Sequence, residues 1–282
     1  MDKKISIFEV GPRDGLQNIK NEIPINRKIK LIDILTDTGL KKIECGSFVS
    51  AKWVPQMKGT NQIFQEITRK EGVKYTALTP NLQGFESALD AQVDEVAVFA
   101  AASETFSQKN VNCSIEESLE RFQGIFKKAK QKKIPVRGYV SCVVECPYEG
   151  KVSPENVLRV ASSLIDMGCY EVSLGDTIGQ GTPKTIEDLL KVLCSELNQE
   201  KLAGHFHDTS DTAIKNVEVG LKHGVSTFDS AIGGLGGCPY APGAKGNLNT
   251  HSLIRAFGIN SFSENIDIDK IKFAEKYINK II

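Results

Sequence analysis

Leu202-Ala203-Gly204-His205-Phe206-His207-Asp208 begins the stretch that decides the fold, and Ser226-Thr227-Phe228-Asp229-Ser230-Ala231-Ile232 ends it. Between these two strand-like runs lies a helical pattern, Asp211 to Lys222, with Gly224 where the helix would stop. Strand, helix, strand in so short a span is the repeating unit of a parallel sheet.

The unit recurs upstream. Further apolar, β-branched runs fall at Ile5 to Val10, Lys42 to Phe48, Lys74 to Leu78, Glu95 to Ala100, Val136 to Cys142 and Tyr170 to Gly175. Helical patterns at Arg27 to Asp37, Met57 to Lys70, Leu82 to Ala91, Ile115 to Lys132, Pro154 to Met167 and Pro183 to Leu197 separate them. Ser114 with Glu117 has capping-box spacing, Ser153 and Thr182 stand just before Pro154 and Pro183, and Gly39 and Gly168 fall at helix ends. The pattern predicts an α/β chain folded as a (β/α)8 TIM barrel, a single catalytic domain over 1–282. A doubly wound open sheet is the competing topology, and it would need a split site instead of one ring of strand ends. A mobile glycine-rich loop is expected after the last strand. Additional C-terminal helices, Thr250 to Gly258 and Asp267 to Ile281 (about 250–281), would close the barrel or cover one end.

Composition removes several function classes. Lys plus Arg and Asp plus Glu both number 35, so the chain lacks the basic excess of a nucleic-acid surface. With 40% apolar and 25% charged residues it is ordinary globular material, and no run approaches the roughly 20 apolar residues that span a bilayer. The start, Met1 to Ile7, has neither the apolar stretch of a secretory signal nor a long Arg-rich helix, so a cytoplasmic location is expected. Seven cysteines lie far apart, and Cys142 with Cys146 lacks the second pair of a zinc knuckle. They read mostly as small core residues in a reducing compartment.

A barrel gathers its chemistry at the carboxyl ends of its strands. His205 and His207 are two apart in a strand-like run and leave the same face. Asp14, past the first strand, can reach the same point, and Asn247 can add an amide oxygen. Two nitrogens and two oxygens suit an octahedral Mg2+ or Mn2+, and the ligand types also permit Zn2+. The competing reading is a structural histidine pair hydrogen-bonded inside the barrel. Arg13, beside Asp14, offers a cation for charge developing on an enolate oxygen, or else a salt bridge closing a strand end. Gly233-Gly234-Leu235-Gly236-Gly237-Cys238-Pro239-Tyr240 is a poor way to build a core, because each glycine loses entropy on ordering and packs nothing. It suits a lid carrying an acid or base, Cys238, or a turn with an incidental thiol. Lys245 can reach an anionic group or stay in solvent.

At these residues the chain resembles the 3-hydroxy-3-methylglutaryl-CoA lyase family, within the barrel metallolyases related to homocitrate and isopropylmalate synthases. Glu9-Val10-Gly11-Pro12-Arg13-Asp14-Gly15-Leu16-Gln17-Asn18, Ser50 to Met57, Leu78 to Leu82, Glu95 to Ala100, Cys146 to Gly150, Gly175 to Gly179 and the loop of Cys238 carry the likeness, over nearly the whole chain. It implies a divalent-metal-dependent carbon–carbon lyase that cleaves (S)-3-hydroxy-3-methylglutaryl-CoA to acetyl-CoA and acetoacetate, as in leucine breakdown. The CoA thioester is then substrate and not a resident cofactor. The resemblance assigns the metal to Asp14, His205, His207 and Asn247, and catalysis to Arg13, Asp14, His205 and Cys238. Arg13 would stabilise the enolate, Cys238 would protonate it, and Asp14 or His205 would take the hydroxyl proton. Substrate contacts fall to Arg13, Gln17, Glu44, Tyr139, Ser173 and Thr177. A homo-oligomer, a dimer, is expected, with no nucleic-acid or membrane partner. A related acyl-CoA lyase or aldolase with an altered substrate, and a non-catalytic CoA-binding scaffold, are the alternatives. One departure stands out: after Thr250 the family usually has a glutamate, where this chain has His251, and impaired or retuned activity is expected if that position orients a metal ligand.

Overall fold

The computed structural model describes residues 4–236 and 245–282. Eight strands close into a parallel barrel: β1 (Ser6–Glu9), β2 (Lys42–Ser47), β3 (Lys74–Leu78), β4 (Glu95–Ala101), β5 (Val136–Ser141), β8 (Glu171–Asp176), β9 (Leu202–Phe206) and β10 (Thr227–Ser230). Closure is made where β1 pairs with β10, Ser6 opposite Thr227. A short antiparallel hairpin, β6 (Glu145–Cys146) and β7 (Gly150–Lys151), decorates the loop after β5.

The barrel strands form where the apolar runs predict them, because buried parallel strands are apolar almost continuously. Ile7, Ile43, Val96, Val98, Val140, Val172 and Leu174 belong to the main hydrophobic core together with helix residues such as Leu31, Leu35, Ile125, Val160 and Leu193. The helices are α1 (Ile25–Thr36), α2 (Thr60–Glu66), α3 (Leu82–Asp90), α4 (Glu104–Val111), α5 (Ile115–Lys132), α6 (Pro154–Met167), α7 (Pro183–Glu196), α8 (Ala213–Lys222), α9 (Thr250–Phe257) and α10 (Ile268–Ile281). Ser114, Ser153 and Thr182 accept backbone N–H bonds at the starts of α5, α6 and α7, as their positions predict.

Three elements differ from expectation. The helix read over Met57 to Lys70 is a 3-10 turn, Pro55–Met57, followed by α2, because Gly59 at φ +81° breaks the run and Ile67 is already extended. Helix α4 escapes an amphipathic reading, since it buries only Phe106 and Ser107; Ser103 caps it and the left-handed Asn112 ends it. Of the two expectations for the C-terminal helices, closing the barrel and covering one end, the second does not hold for α10. α10 lies antiparallel along α1: the Asp267 N–H bonds to the Thr38 carbonyl at 2.7 Å at one end, and Tyr277 Oη to the Arg27 carbonyl at 3.3 Å at the other.

After β10 the chain makes a short turn, Ile232–Gly234. The lid expected there, with Cys238, lies outside the described residues. Beyond it the chain returns alongside the end of β9: the Asp208 N–H bonds to the Gly246 carbonyl at 2.8 Å and the Leu248 N–H to the Phe206 carbonyl at 3.0 Å, which places Asn247 opposite His207. Among the described residues no helix is long and apolar enough to cross a membrane.

Candidate active site

Beyond β1, Gly11–Gly15 winds into a single wide turn in which the Val10 carbonyl accepts the N–H groups of Asp14 at 2.8 Å and Gly15 at 3.2 Å. Pro12 has no N–H to compete for it. The turn lifts Arg13 and Asp14 over the barrel mouth. Two strands along the barrel from β1, β9 delivers His205 and the following segment His207, both buried. Their Nε2 atoms are 3.3 Å apart, and His205 Nε2 lies 4.0 Å from Asp14 Oδ2. Asp14, His205 and His207 each offer a ligand atom within 4.8 Å of the others. Burial, then the neighbouring His205, pushes the His207 imidazole down to about 4, so it is neutral near pH 7. Facing ring nitrogens that close share either a hydrogen or a cation. Two imidazoles and a carboxylate fit a divalent cation in ligand type.

Asn247 completes the group differently from the expectation of an oxygen ligand. Its Nδ2 donates to Asp14 Oδ2 at 2.6 Å and to the Leu235 carbonyl at 2.9 Å, so here it fixes the aspartate. The approach requires glycine at 236: at φ +95°, a Cβ there would lie 2.3 Å from Asn247 Nδ2.

Arg13 is buried between two carboxylates. Nε donates to Glu44 Oε2 and Nη1 to Asp14 Oδ1, both at 2.6 Å. Burial opposes its charge, but Glu44 and Asp14 more than compensate and raise its affinity for the proton. Burial also pushes the Asp14 carboxyl up; Arg13 and the two histidines outweigh it and hold Asp14 below the usual range. For Glu44 burial wins, and the carboxyl is raised. Tyr139 donates to Glu44 Oε2 at 3.2 Å, and its ring lies 5.2 Å from the Arg13 guanidinium carbon. Glu44 Oε1 is buried with no hydrogen-bond partner among the described residues.

Ser173 does not reach this layer. It donates to Asp229 Oδ2 at 2.8 Å, one layer down, where Arg137 grips the same carboxylate through Nη2 at 2.7 Å and Nη1 at 3.1 Å. His205 Nδ1 also meets Asp229 Oδ2, at 3.0 Å. Asp229 and Arg137 were not singled out by sequence reasoning. The available signal was a charge in the middle of an apolar strand run, where burial without a partner is forbidding. Thr177 uses its hydroxyl to accept the Cys142 N–H at 2.8 Å, tying two loops together. Gln17 is half-buried beyond the Arg13 turn, and no hydrogen bond joins it to these groups among the described residues. Lys245 pairs with Asp208 and Asp211 at the surface. His251 bonds through Nδ1 to Glu275 Oε2 of α10 at 2.8 Å, and Asn249 Nδ2 reaches the other oxygen of Glu275 at 2.7 Å. It therefore buttresses α9 against α10, and among the described residues no hydrogen bond joins it to Asp14, His205, His207 or Asn247.

Fold and site together define a class: parallel (β/α)8 barrels that gather a two-histidine, one-carboxylate centre and an arginine at the carboxyl ends of their strands. More particularly, the chain belongs to the HMGL-like family, whose model matches residues 4–278. It is 55% identical over 254 residues to the 3-hydroxy-3-isohexenylglutaryl-CoA/hydroxy-methylglutaryl-CoA lyase of Pseudomonas aeruginosa, covering 90% of this chain and 85% of that protein. With the mitochondrial hydroxymethylglutaryl-CoA lyase of Rattus norvegicus it shares 51% identity over 278 residues, 99% of this chain and 86% of the relative. The crystal structure of hydroxymethylglutaryl-CoA lyase from Pseudomonas aeruginosa superposes with a TM-score of 0.96 at 50% identity, covering 100% of this chain and 94% of that one.

Proposed function

We propose that this chain cleaves (S)-3-hydroxy-3-methylglutaryl-CoA to acetyl-CoA and acetoacetate. The observation that carries the reading is the meeting of Asp14, His205 and His207 beside Arg13 at one barrel mouth. Asp14, His205 and His207, with Asn247 if its amide presents oxygen, would hold Mg2+ or Mn2+. When bound, such a cation acidifies the C3 hydroxyl of a chelating substrate.

The rest falls to side chains. Asp14, or His205 where its Nε2 is not taken by the ion, accepts the hydroxyl proton as the C2–C3 bond breaks. The bond's electron pair passes into the thioester, leaving acetyl-CoA as its enolate and C3 as the ketone of acetoacetate. Arg13 stabilises the enolate oxygen: Nε and Nη1 are held by Glu44 and Asp14, and among the described residues nothing takes Nη2. A preformed donor of this kind stabilises developing charge without reorganising. A proton from Cys238, assigned by sequence likeness, converts the enolate carbon to the methyl of acetyl-CoA. A cytoplasmic location and a homodimer belong to the same proposal, and a part in leucine breakdown is suggested by the family likeness.

The test follows acetyl-CoA and acetoacetate together in the presence of Mg2+ or Mn2+, with Cys238→Ala and His205→Ala as controls. Stoichiometric products lost in both variants are expected; an inactive wild-type protein with both metals refutes the reading. The 55% identical relative named for a 3-isohexenyl substrate favours a second reading, in which a longer 3-substituent is preferred. Running both thioesters side by side separates the two.

A further inference from the structure

The interior of a (β/α)8 barrel is normally filled by branched aliphatic side chains. Here the layer beneath the histidines is ionic. Asp229 of β10, Arg137 of β5 and Ser173 of β8 are all essentially inaccessible to solvent. Buried ion pairs are weak devices for stability, because desolvation offsets most of the attraction. Their arrangement points to another use.

A carboxylate only accepts hydrogen bonds. Asp229 Oδ1 takes Arg137 Nη2, and Oδ2 takes Arg137 Nη1, the Ser173 hydroxyl and His205 Nδ1. Arg137 is held in turn: Nε donates to Glu171 Oε1 at 2.8 Å, and its guanidinium carbon lies 4.0 Å from the Phe8 ring centroid and 5.0 Å from that of Tyr139. The Arg137 and Ser173 donors are spent on Asp229, and an ionised carboxylate has no hydrogen to give, so Asp229 offers the imidazole only an acceptor. A neutral His205 bonded at Nδ1 must carry its hydrogen there, which leaves a lone pair on Nε2. Nε2 is the nitrogen that faces His207 and Asp14. The Tyr139 ring stands edge-on to the imidazole, 6.0 Å between centroids at 85°.

We infer that Asp229, clamped by Arg137 and Ser173, is a positioning residue that locks His205 in its Nδ1–H tautomer and aims the Nε2 lone pair into the Asp14–His207 group. The use of that lone pair rests on the metal reading above; the tautomer does not. Asp229→Asn should invert it. The amide must turn either its oxygen or its NH2 toward His205, and its NH2 conflicts with Arg137 either way. The conflict is smaller at the 3.1 Å Nη1 contact than at the 2.7 Å Nη2 contact. The NH2 therefore faces His205 Nδ1, which becomes the acceptor, and the hydrogen moves to Nε2, as happens when a triad aspartate becomes asparagine.

The experiment is 15N NMR of ring-labelled histidine in the metal-free protein, with His205 assigned by His205→Asn, together with Mn2+ titration. The wild type should show Nδ1–H. Folded Asp229→Asn should show Nε2–H and bind Mn2+ about 10–100-fold more weakly, the usual effect of losing a ligand's outer partner. An Nε2–H signal in the wild type overturns the inference, and that spectrum decides even if the variant does not fold. So does a folded variant with unchanged tautomer and affinity. Wild-type Nδ1–H with no Mn2+ binding upholds Asp229's hold on the ring and removes the metal reading.

Discussion

Glu9, at the end of β1, has no arginine or lysine partner among the described residues, although it is fully buried. Its Oε1 accepts the N–H groups of Gly11 and Ile232, each at 2.8 Å, and its Oε2 accepts the Thr250 hydroxyl at 2.6 Å. One side chain thus ties the turn bearing Arg13 and Asp14 to the root of the glycine-rich segment and to α9. Burial pushes this carboxyl up to about 7, against the smaller opposing pull of those donors. In the unfolded chain it titrates near its ordinary value of 4.5. The folded state therefore binds this proton more tightly. The sign follows: the contribution to stability is fully present below pH 4.5, and it is lost as pH rises through about 7.

At 1.36 kcal/mol per unit, the contribution falls by about 2.5 kcal/mol between pH 5 and pH 8. Glu9→Gln is the matching perturbation. Its amide oxygen can accept both backbone N–H groups, and its NH2 can donate to Thr250 Oγ1, whose hydrogen can turn to Ser230 Oγ, 2.8 Å away. Glutamine thus keeps the bonds of neutral Glu9 without the titration. Urea denaturation of both proteins at half-unit steps from pH 5 to 8 should show the variant gaining on the wild type by about 2–3 kcal/mol across the range. Parallel stability curves would refute the argument, since groups common to both proteins cancel in the difference.

Two further substitutions probe the surroundings of the site. Gly236→Ala forces a side chain into φ +95° and against Asn247 and the Asp14 carbonyl; the strain should lower stability by about 1–3 kcal/mol and weaken Mn2+ binding, and unchanged calorimetric titration would sink the close-approach argument. His251→Glu, which restores the usual family residue, sets a carboxylate against Glu275 and loses the 2.8 Å bond. It should cost about 0.5–1 kcal/mol, reversed by Glu275→Gln in the same background, with metal affinity unmoved; a changed affinity would mean that position 251 does act on the ligands.

What was legible in the sequence was whatever local pattern dictates. The strands of a buried parallel sheet announce themselves as apolar runs, and His205 and His207 sit two apart in one of them. What was not legible depends on several strands at once. The inward direction of Asp229 matters only because Arg137 arrives from β5 and His205 from β9. The bond from the Cys142 N–H to Thr177 Oγ1 could not be read either, because it joins the loops after two different strands. His251 could be called a departure, but Glu275, its partner, lies a helix away and is recognisable only once α10 is seen to pack beside α9. The break at Gly59 and the short α4 were missed for another reason: each depends on a left-handed residue or a cap more than on periodicity.

The two layers of the barrel interior share one electrostatic design. In the upper layer Arg13 faces Asp14 and Glu44; in the lower, Arg137 faces Asp229 and Glu171. Tyr139 lies between, its ring 5.2 Å from one guanidinium carbon and 5.0 Å from the other. Each arginine meets two carboxylates, so each layer carries one surplus negative charge when all are ionised. Burial raises Glu44, whose Oε1 has no partner among the described residues, whereas the neighbouring arginines help hold Asp14 and Asp229 down. A neutral His207 adds no positive charge, and a divalent cation beside Asp14 would meet this surplus. The carboxylates behind the ligands thus favour the divalent ion of the proposed function, and the Arg13 N–H groups that no described residue takes are open to charge developing on substrate.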